Sequence, residues 1–382
     1  MLPPLQEILG RLVAMPTVSS SDPAFDQGNL ALIEQLQDWL QPLGFNCDRI
    51  ALDTPVPKAN LVATLGSGDD GLVLAGHTDT VPCDPGLWSS APWSLESREN
   101  RLYGLGTTDM KGFLAVAVVA ASRYCTRQLQ HPLTLLFTAD EESSMLGAQR
   151  LVELGTPRAR YALIGEPTGM RPVNRHKGVG MLALQIKGQA GHSSDPESGH
   201  NALDGMREAM NTLVDWRIEL AGSHRNNAFS VCFPTLNLGR ISGGDNANRI
   251  CGSCELHFDL RTLPGMDWDV LMTDLQQRLA LTLDGSGLSW QLYPLDVVIP
   301  AYEIAADSDW VRLLEDLSGC PAEAVAFGSE APFLHQLGMQ VIVCGPGDIA
   351  RAHKPDEYVT LDALHHCERL INRLIEKVCL GG

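Results

Sequence analysis

No stretch of this 382-residue chain is apolar for long enough to cross a bilayer: the longest, Gly112 to Ala121, is about half of what a helical span requires. Basic charge is also short. Lys plus Arg number 28 against 46 Asp plus Glu, a net charge of −18 with no long run of one sign, and such a field repels phosphate backbones and anionic lipid. Neither nucleic acid nor a membrane is expected as a partner. The opening residues Met1 to Glu7 carry an acid and no base before Arg11, so the basic start of a secretory signal is missing and a cytoplasmic protein is expected. Ten cysteines scattered from Cys47 to Cys379 are too sparse for a disulfide scaffold, which makes reduced thiols the expectation. The one CxxC, Cys251 and Cys254 with His257 behind it, lacks a second pair at zinc-finger spacing and lies in a segment that alternates like a strand, so it reads as structural.

What is present is an ordinary globular composition, 44% apolar and 19% charged, in a chain long enough for two to three domains. Leu5, Ile8, Leu9, Leu12 and Val13 mark an amphipathic helix, and a second helix is expected from Ala24 towards Leu43 with Gly44 as its stop. Strands at 60–65, 71–75, 132–138 and 161–165 then alternate with helices at 110–123 and 147–154, which predicts an α/β layer with a largely parallel sheet. The pattern changes after Lys177. Strand, helix, two strands, helix and a closing strand near Ser289 to Leu292 spell β-α-β-β-α-β, the order of a ferredoxin-like sandwich. From Asp307 the α/β style resumes. The chain is therefore read as a discontinuous α/β domain, residues 1–178 and 290–382, with an α+β domain inserted at 179–289.

Five segments carry residues of metal-ligand type at or beyond strand ends, where α/β sheets gather ligands. They hold His77 and Asp79, Asp109 in a glycine-rich loop, Asp140-Glu141-Glu142, Glu166, and His353. Alone, His77 reads equally as a hydrogen-bonded histidine, Asp109 as a helix N-cap and the acidic run as a solvated turn. The first four recur at intervals of roughly 30 residues, the length of a βαβ unit, so they can converge on one sheet edge. Two histidines and three carboxylates suit zinc, cobalt or manganese, and one bridging carboxylate would allow two ions. Which of Glu141 and Glu142 faces a metal stays open, because neighbours on a chain can exchange faces.

The segments Gly76 to Pro82, Gly104 to Gly112, Thr138 to Glu142, Gly165 to Thr168 and Ala352 to Glu357 resemble those of the dinuclear zinc amidohydrolases related to aminoacylase, succinyl-diaminopimelate desuccinylase and glutamate carboxypeptidase. The likeness spans almost the whole chain. It implies a catalytic zinc-peptidase-like α/β domain with an inserted ferredoxin-like α+β dimerisation domain, two divalent ions per chain (Zn2+ or Co2+), a homodimer, and hydrolysis of a small N-acyl amino acid. It further implies that Asp109 bridges the ions, that His77 and Glu166 complete one and Glu142 and His353 the other, that Glu141 is the general base, and that Asp79 orients His77. By the same likeness His192 stabilises the oxyanion in the partner subunit's site, and Asn248 and Arg261 contact the substrate, Arg261 being suited to grip a carboxylate. Glu330, an acid in the loop Ser329 to Phe333, is a candidate partner for a cation on the substrate. Beside this reading stand two metal-binding rivals, a cysteine-nucleophile amidase being disfavoured because no cysteine lies in the five acid and histidine segments. One is the same chemistry on another acyl-amino acid or a dipeptide, and the other is an inactive metal-binding scaffold.

Overall fold

The computed structural model describes residues 2–381, which divide into two compact units. The first comprises the described residues up to Asn174, Ile304–Glu323, and those from Ser329 onward. Its centre is four parallel strands in the order Leu133–Thr138, Leu72–His77, Tyr161–Ile164, Gln340–Val343. Each is largely apolar, and nearly every residue of them is buried, as expected of parallel strands covered on both faces. The sheet is mixed rather than largely parallel, because Ala59–Leu65 pairs antiparallel with Leu133–Thr138, and Asn46–Ala51 pairs antiparallel beyond it. Asn46–Ala51 was not expected from the sequence. Half of its residues are polar and most are exposed, so no hydrophobic pattern marks it.

Register sets the site. His77 lies opposite Thr138 and Ala75 opposite Ile164, so Glu166, two residues past Ile164, leaves its strand level with His77. The helix Lys111–Ser122, buried almost all round, packs against Leu72–His77 and against the helices Leu5–Val13 and Leu361–Cys379. Glycine allows that approach. A Cβ on Gly76 would lie 2.4 Å from the Met110 side chain, and one on Gly165 only 1.9 Å from the Phe113 ring. The helix expected from Ala24 begins instead at Leu30. Asp22 and Pro23 open a turn in which the Asp22 carboxylate accepts the Ala24 N–H at 3.0 Å. Asn29 spends its side chain on Ala59 and Thr78.

The second unit is Arg175–Glu303 with Ala324–Gly328. Its four-stranded antiparallel sheet runs in the order Thr235–Gly243, Ser253–Thr262, Gly178–Lys187, Ser289–Pro294, with helices Ala202–Ser223 and Trp268–Leu283 packed on it. Strands numbered along the chain thus lie 2-3-1-4, the ferredoxin-like order. The alternating burial of Ser253–Thr262 shows one face on the core and one open. The unit extends past the expected boundary at 289, since Ser289–Pro294 pairs along Gly178–Lys187 from Lys187 to Leu182.

His176, wholly buried opposite Tyr302, donates Nδ1–H to the Lys177 carbonyl at 2.8 Å, and burial holds its pKa down to about 4. An unfolded imidazole binds its proton near about 6.5, so between these values the unfolded chain holds the extra proton and stability falls as pH falls. In metal-free protein, urea melts at pH 4.5 and 7 are expected to differ less for His176→Phe than for wild type, by up to about 3 kcal/mol. Equal differences would show that His176 is not neutral in the fold.

Candidate metal centre

The first unit brings His77, Asp109, Glu142, Glu166 and His353 together. His77, only 1% exposed, places Nε2 3.0 Å from Asp109 Oδ1 and 3.7 Å from Glu166 Oε1. His353 places Nε2 3.2 Å from Asp109 Oδ2 and 3.0 Å from Glu142 Oε1. Asp109 therefore presents one oxygen to each imidazole. Among the described residues, two groups have ligand atoms within 4.8 Å of one another, His77 with Glu141 and Glu166, and His77 with Asp109 and Glu142. Both stem from this centre, and neither includes Cys251, Cys254 or His257. His257 instead faces Glu255 at 2.8 Å.

Asp79 acts through two groups. Its backbone carbonyl is the nearer partner of His77 Nδ1, at 3.0 Å, with a carboxylate oxygen at 3.6 Å. That fixes the proton on Nδ1 and leaves the Nε2 lone pair for a ligand. The other carboxylate oxygen accepts the Glu142 N–H at 3.0 Å, tying the acidic turn to the His77 strand.

Charge in the centre is out of balance. Burial, and then neighbouring carboxylates, push Glu166 well above the usual carboxylate range, and Glu142 is raised by burial and Asp109. Glu141 is also pushed well up, by burial first and by Glu166 and Glu142 despite the opposing pull of His77. Asp109 goes the other way, because hydrogen bonds from His353 and His77 outweigh its burial. Those same acids, Asp109 and Glu142, lift His353 to about 10. Buried acids that repel one another around two imidazoles are relieved by cations, and the nitrogen and oxygen donors fit divalent zinc, cobalt or manganese.

Two residues escaped the sequence reading. Glu357 is buried and accepts three backbone N–H groups of the loop that carries Asp109: Gly106 at 3.1 Å, Thr108 at 2.7 Å and Asp109 at 3.0 Å. Burial and the Asp109 charge push it up to about 8. Its signal was an acid four places after His353, within a segment read only for its histidine. Lys111, also buried, donates to the Met15 carbonyl at 2.9 Å, and burial lowers its pKa to about 7.

A model of the peptidase family M20/M25/M40 matches residues 73–377. The chain belongs to that family. It is 44% identical over 380 residues to an acetylornithine deacetylase of Pasteurella multocida (strain Pm70), covering 100% of this chain and 99% of that protein. A second acetylornithine deacetylase, from Proteus mirabilis (strain HI4320), is 44% identical over 384 residues, covering 100% and 98%. Among solved structures, an M20 family metallo-carboxypeptidase from Sulfolobus solfataricus shares the fold at TM-score 0.78 and 15% identity, over 98% of this chain and 99% of that one. A Bacillus subtilis protein described as a dinuclear metal binding peptidase from M20 family does so at TM-score 0.66 and 15% identity, over 97% and 96%. This M20 chain is a hydrolase of amide bonds.

The remaining expected residues of the M20 chain lie as follows. Glu330 is in the first unit, 1% exposed, just before the helix Ala331–Gln336, and burial pushes it up to about 7. Its Oε1 has no hydrogen-bond partner among the described residues, and its charge raises both Glu141 and Glu166. His192, Asn248 and Arg261 belong to the second unit. His192 is exposed, and its Nδ1 accepts the Ser194 N–H at 3.2 Å, which leaves the proton of the neutral ring on Nε2. The Asn248 carbonyl accepts the Ser193 N–H at 3.1 Å. Arg261 donates Nε–H to Asp259 at 2.9 Å. No helix among the described residues is long and apolar enough to cross a membrane.

Proposed function

We propose that this chain removes the acetyl group from N2-acetyl-L-ornithine, giving L-ornithine and acetate, as a cytoplasmic homodimer serving arginine biosynthesis. The observation that carries the reading is the full-length likeness to the two acetylornithine deacetylases. Asp109 would be the shared ligand, a reading supported by its two oxygens facing different imidazoles. His77 and Glu166 would complete one ion's ligands, and Glu142 and His353 the other's. Zinc suits both sites, with cobalt as the second choice. Two such ions supply Lewis acidity towards the amide carbonyl and lower the pKa of water.

The chain's own groups do the rest. Glu141, a partly buried acid whose pKa is raised, takes a proton from the attacking water and returns it to the leaving nitrogen. Asp79 holds His77 in its ligand tautomer. His192 offers Nε2–H to the carbonyl oxygen as negative charge grows there, and it does so in the partner's site. Asn248 and Arg261 contact the substrate, Arg261 through its carboxylate, and Glu330 pairs with the side-chain ammonium of the ornithine moiety.

A panel read by released amine tests the substrate. Acetylornithine is expected to exceed N-acetyl-methionine and N-succinyl-diaminopimelate in kcat/KM, and Glu330→Gln to hurt acetylornithine far more than N-acetyl-methionine, which has no cation to pair. Preference for another acyl-amino acid would transfer the same chemistry to that substrate. The two-fold arrangement has its own check. Glu141→Ala and His192→Ala chains, inactive alone, are expected to regain roughly a quarter of wild-type sites on subunit exchange, because about half the dimers are mixed and each holds one intact site. Mixed dimers without activity would place His192 in its own chain's site or outside catalysis.

A further inference from the structure

Lys58 stands outside the ligand set, just before the strand Ala59–Leu65, with its side chain 4% exposed. Its ammonium donates to Asp26 at 2.6 Å and to Asp140. Burial works against the charge, but the hydrogen bonds to the two acids outweigh it and keep Lys58 protonated. Ser19 donates to the same oxygen of Asp140 at 2.7 Å and lies 2.5 Å from the Ser143 hydroxyl. Asp140 is the residue before Glu141 and sits at φ 61°, while its carbonyl accepts the N–H groups of Ser144 at 3.1 Å and Met145 at 2.6 Å. On the far side of Glu141, the Glu142 N–H is fixed to Asp79 at 3.0 Å. Glu141 thus lies between two pinned neighbours, and the Asp140 pin is a buried ion pair. An apolar pair of similar volume would often serve stability as well or better, so stability alone is a weak reason for Lys58.

We propose that Lys58 is a positioning residue for Glu141, holding Asp140 so that the turn aims the Glu141 carboxylate at the reacting amide. The proposal rests on Glu141 as the base. A misplacement of about 1 Å can cost on the order of a hundredfold in rate, so Lys58→Met is expected to lower kcat by about 10- to 100-fold with KM and metal content unchanged. In the Glu141→Ala background the same change is expected to move kcat less than about twofold, since residues that act as one unit are not additive.

Lys58→Met leaves two acids without their cation and can destabilise the fold, which Lys58→Met/Asp140→Asn lessens by removing both members of the more deeply buried pair and leaving only Asp26, 15% exposed, without its cation. For this double variant a near wild-type melting temperature with kcat still reduced is expected. Recovery of kcat together with stability, or an equal loss from Lys58→Met with and without Glu141, would overturn the positioning role. Should Glu141→Ala itself stay active, the base assignment fails. Should Glu141→Ala be dead and Lys58→Met fully active, only the role of Lys58 fails.

Discussion

Glu141→Ala is expected to lower kcat by at least about a hundredfold while both ions stay bound, whereas Glu142→Ala is expected to lose metal. The expectation turns on two adjacent side chains. Glu142 Oε1 lies 3.0 Å from His353, and its backbone is tied to Asp79, which favours it as a ligand. Glu141 is raised well above the carboxylate range by burial and by its acidic neighbours, which suits a group that must accept a proton and then release it. The grouping of Glu141 with His77 and Glu166 is the one geometric fact that favours the opposite assignment. Metal analysis beside kcat decides: a Glu141→Ala protein short of one ion, with Glu142→Ala fully loaded, would exchange the two roles.

Chelation is expected to abolish turnover, and fully active protein is expected to carry two ions per chain. On the proposed assignment, five ligands with Asp109 shared would give each ion one imidazole and two carboxylates, leaving room for water and substrate. A single ion held by His77, Glu166 and Asp109 would leave Glu142 and His353 without a cation to share. Bound ions stabilise by mass action, so the chelated protein is expected to melt at a lower temperature and to recover on adding zinc or cobalt. One ion per chain in fully active protein would remove the two-ion mechanism.

Much of this grouping was legible because His77, Glu142 and Glu166 follow largely apolar strands, and a run such as Leu72 to Ala75 marks both the strand and where it ends. The second unit was legible for a different reason. Its strands alternate, and their order with two helices fixes the arrangement. What escaped was written in backbone contacts. Glu357 works by accepting three N–H groups, and no side-chain pattern reports that. Asp79 was read for its carboxylate, yet its own carbonyl is the closer partner of His77. The late start of the helix at Leu30 escaped because Asn29 and Asp22 form contacts distant from helix periodicity. Asn46–Ala51 carries too little apolar surface to announce itself.

The strand Gln340–Val343, parallel to Tyr161–Ile164 in the central sheet, is the last of its four to be made. On a ribosome adding about 5–20 residues per second, Tyr161–Ile164 waits roughly 10–35 s for that neighbour while the whole second unit is synthesised. His353 and Glu357 arrive later still. A nascent chain therefore displays His77, Asp109, Glu142 and Glu166 before either the second imidazole or the acid that clamps the Asp109 loop exists.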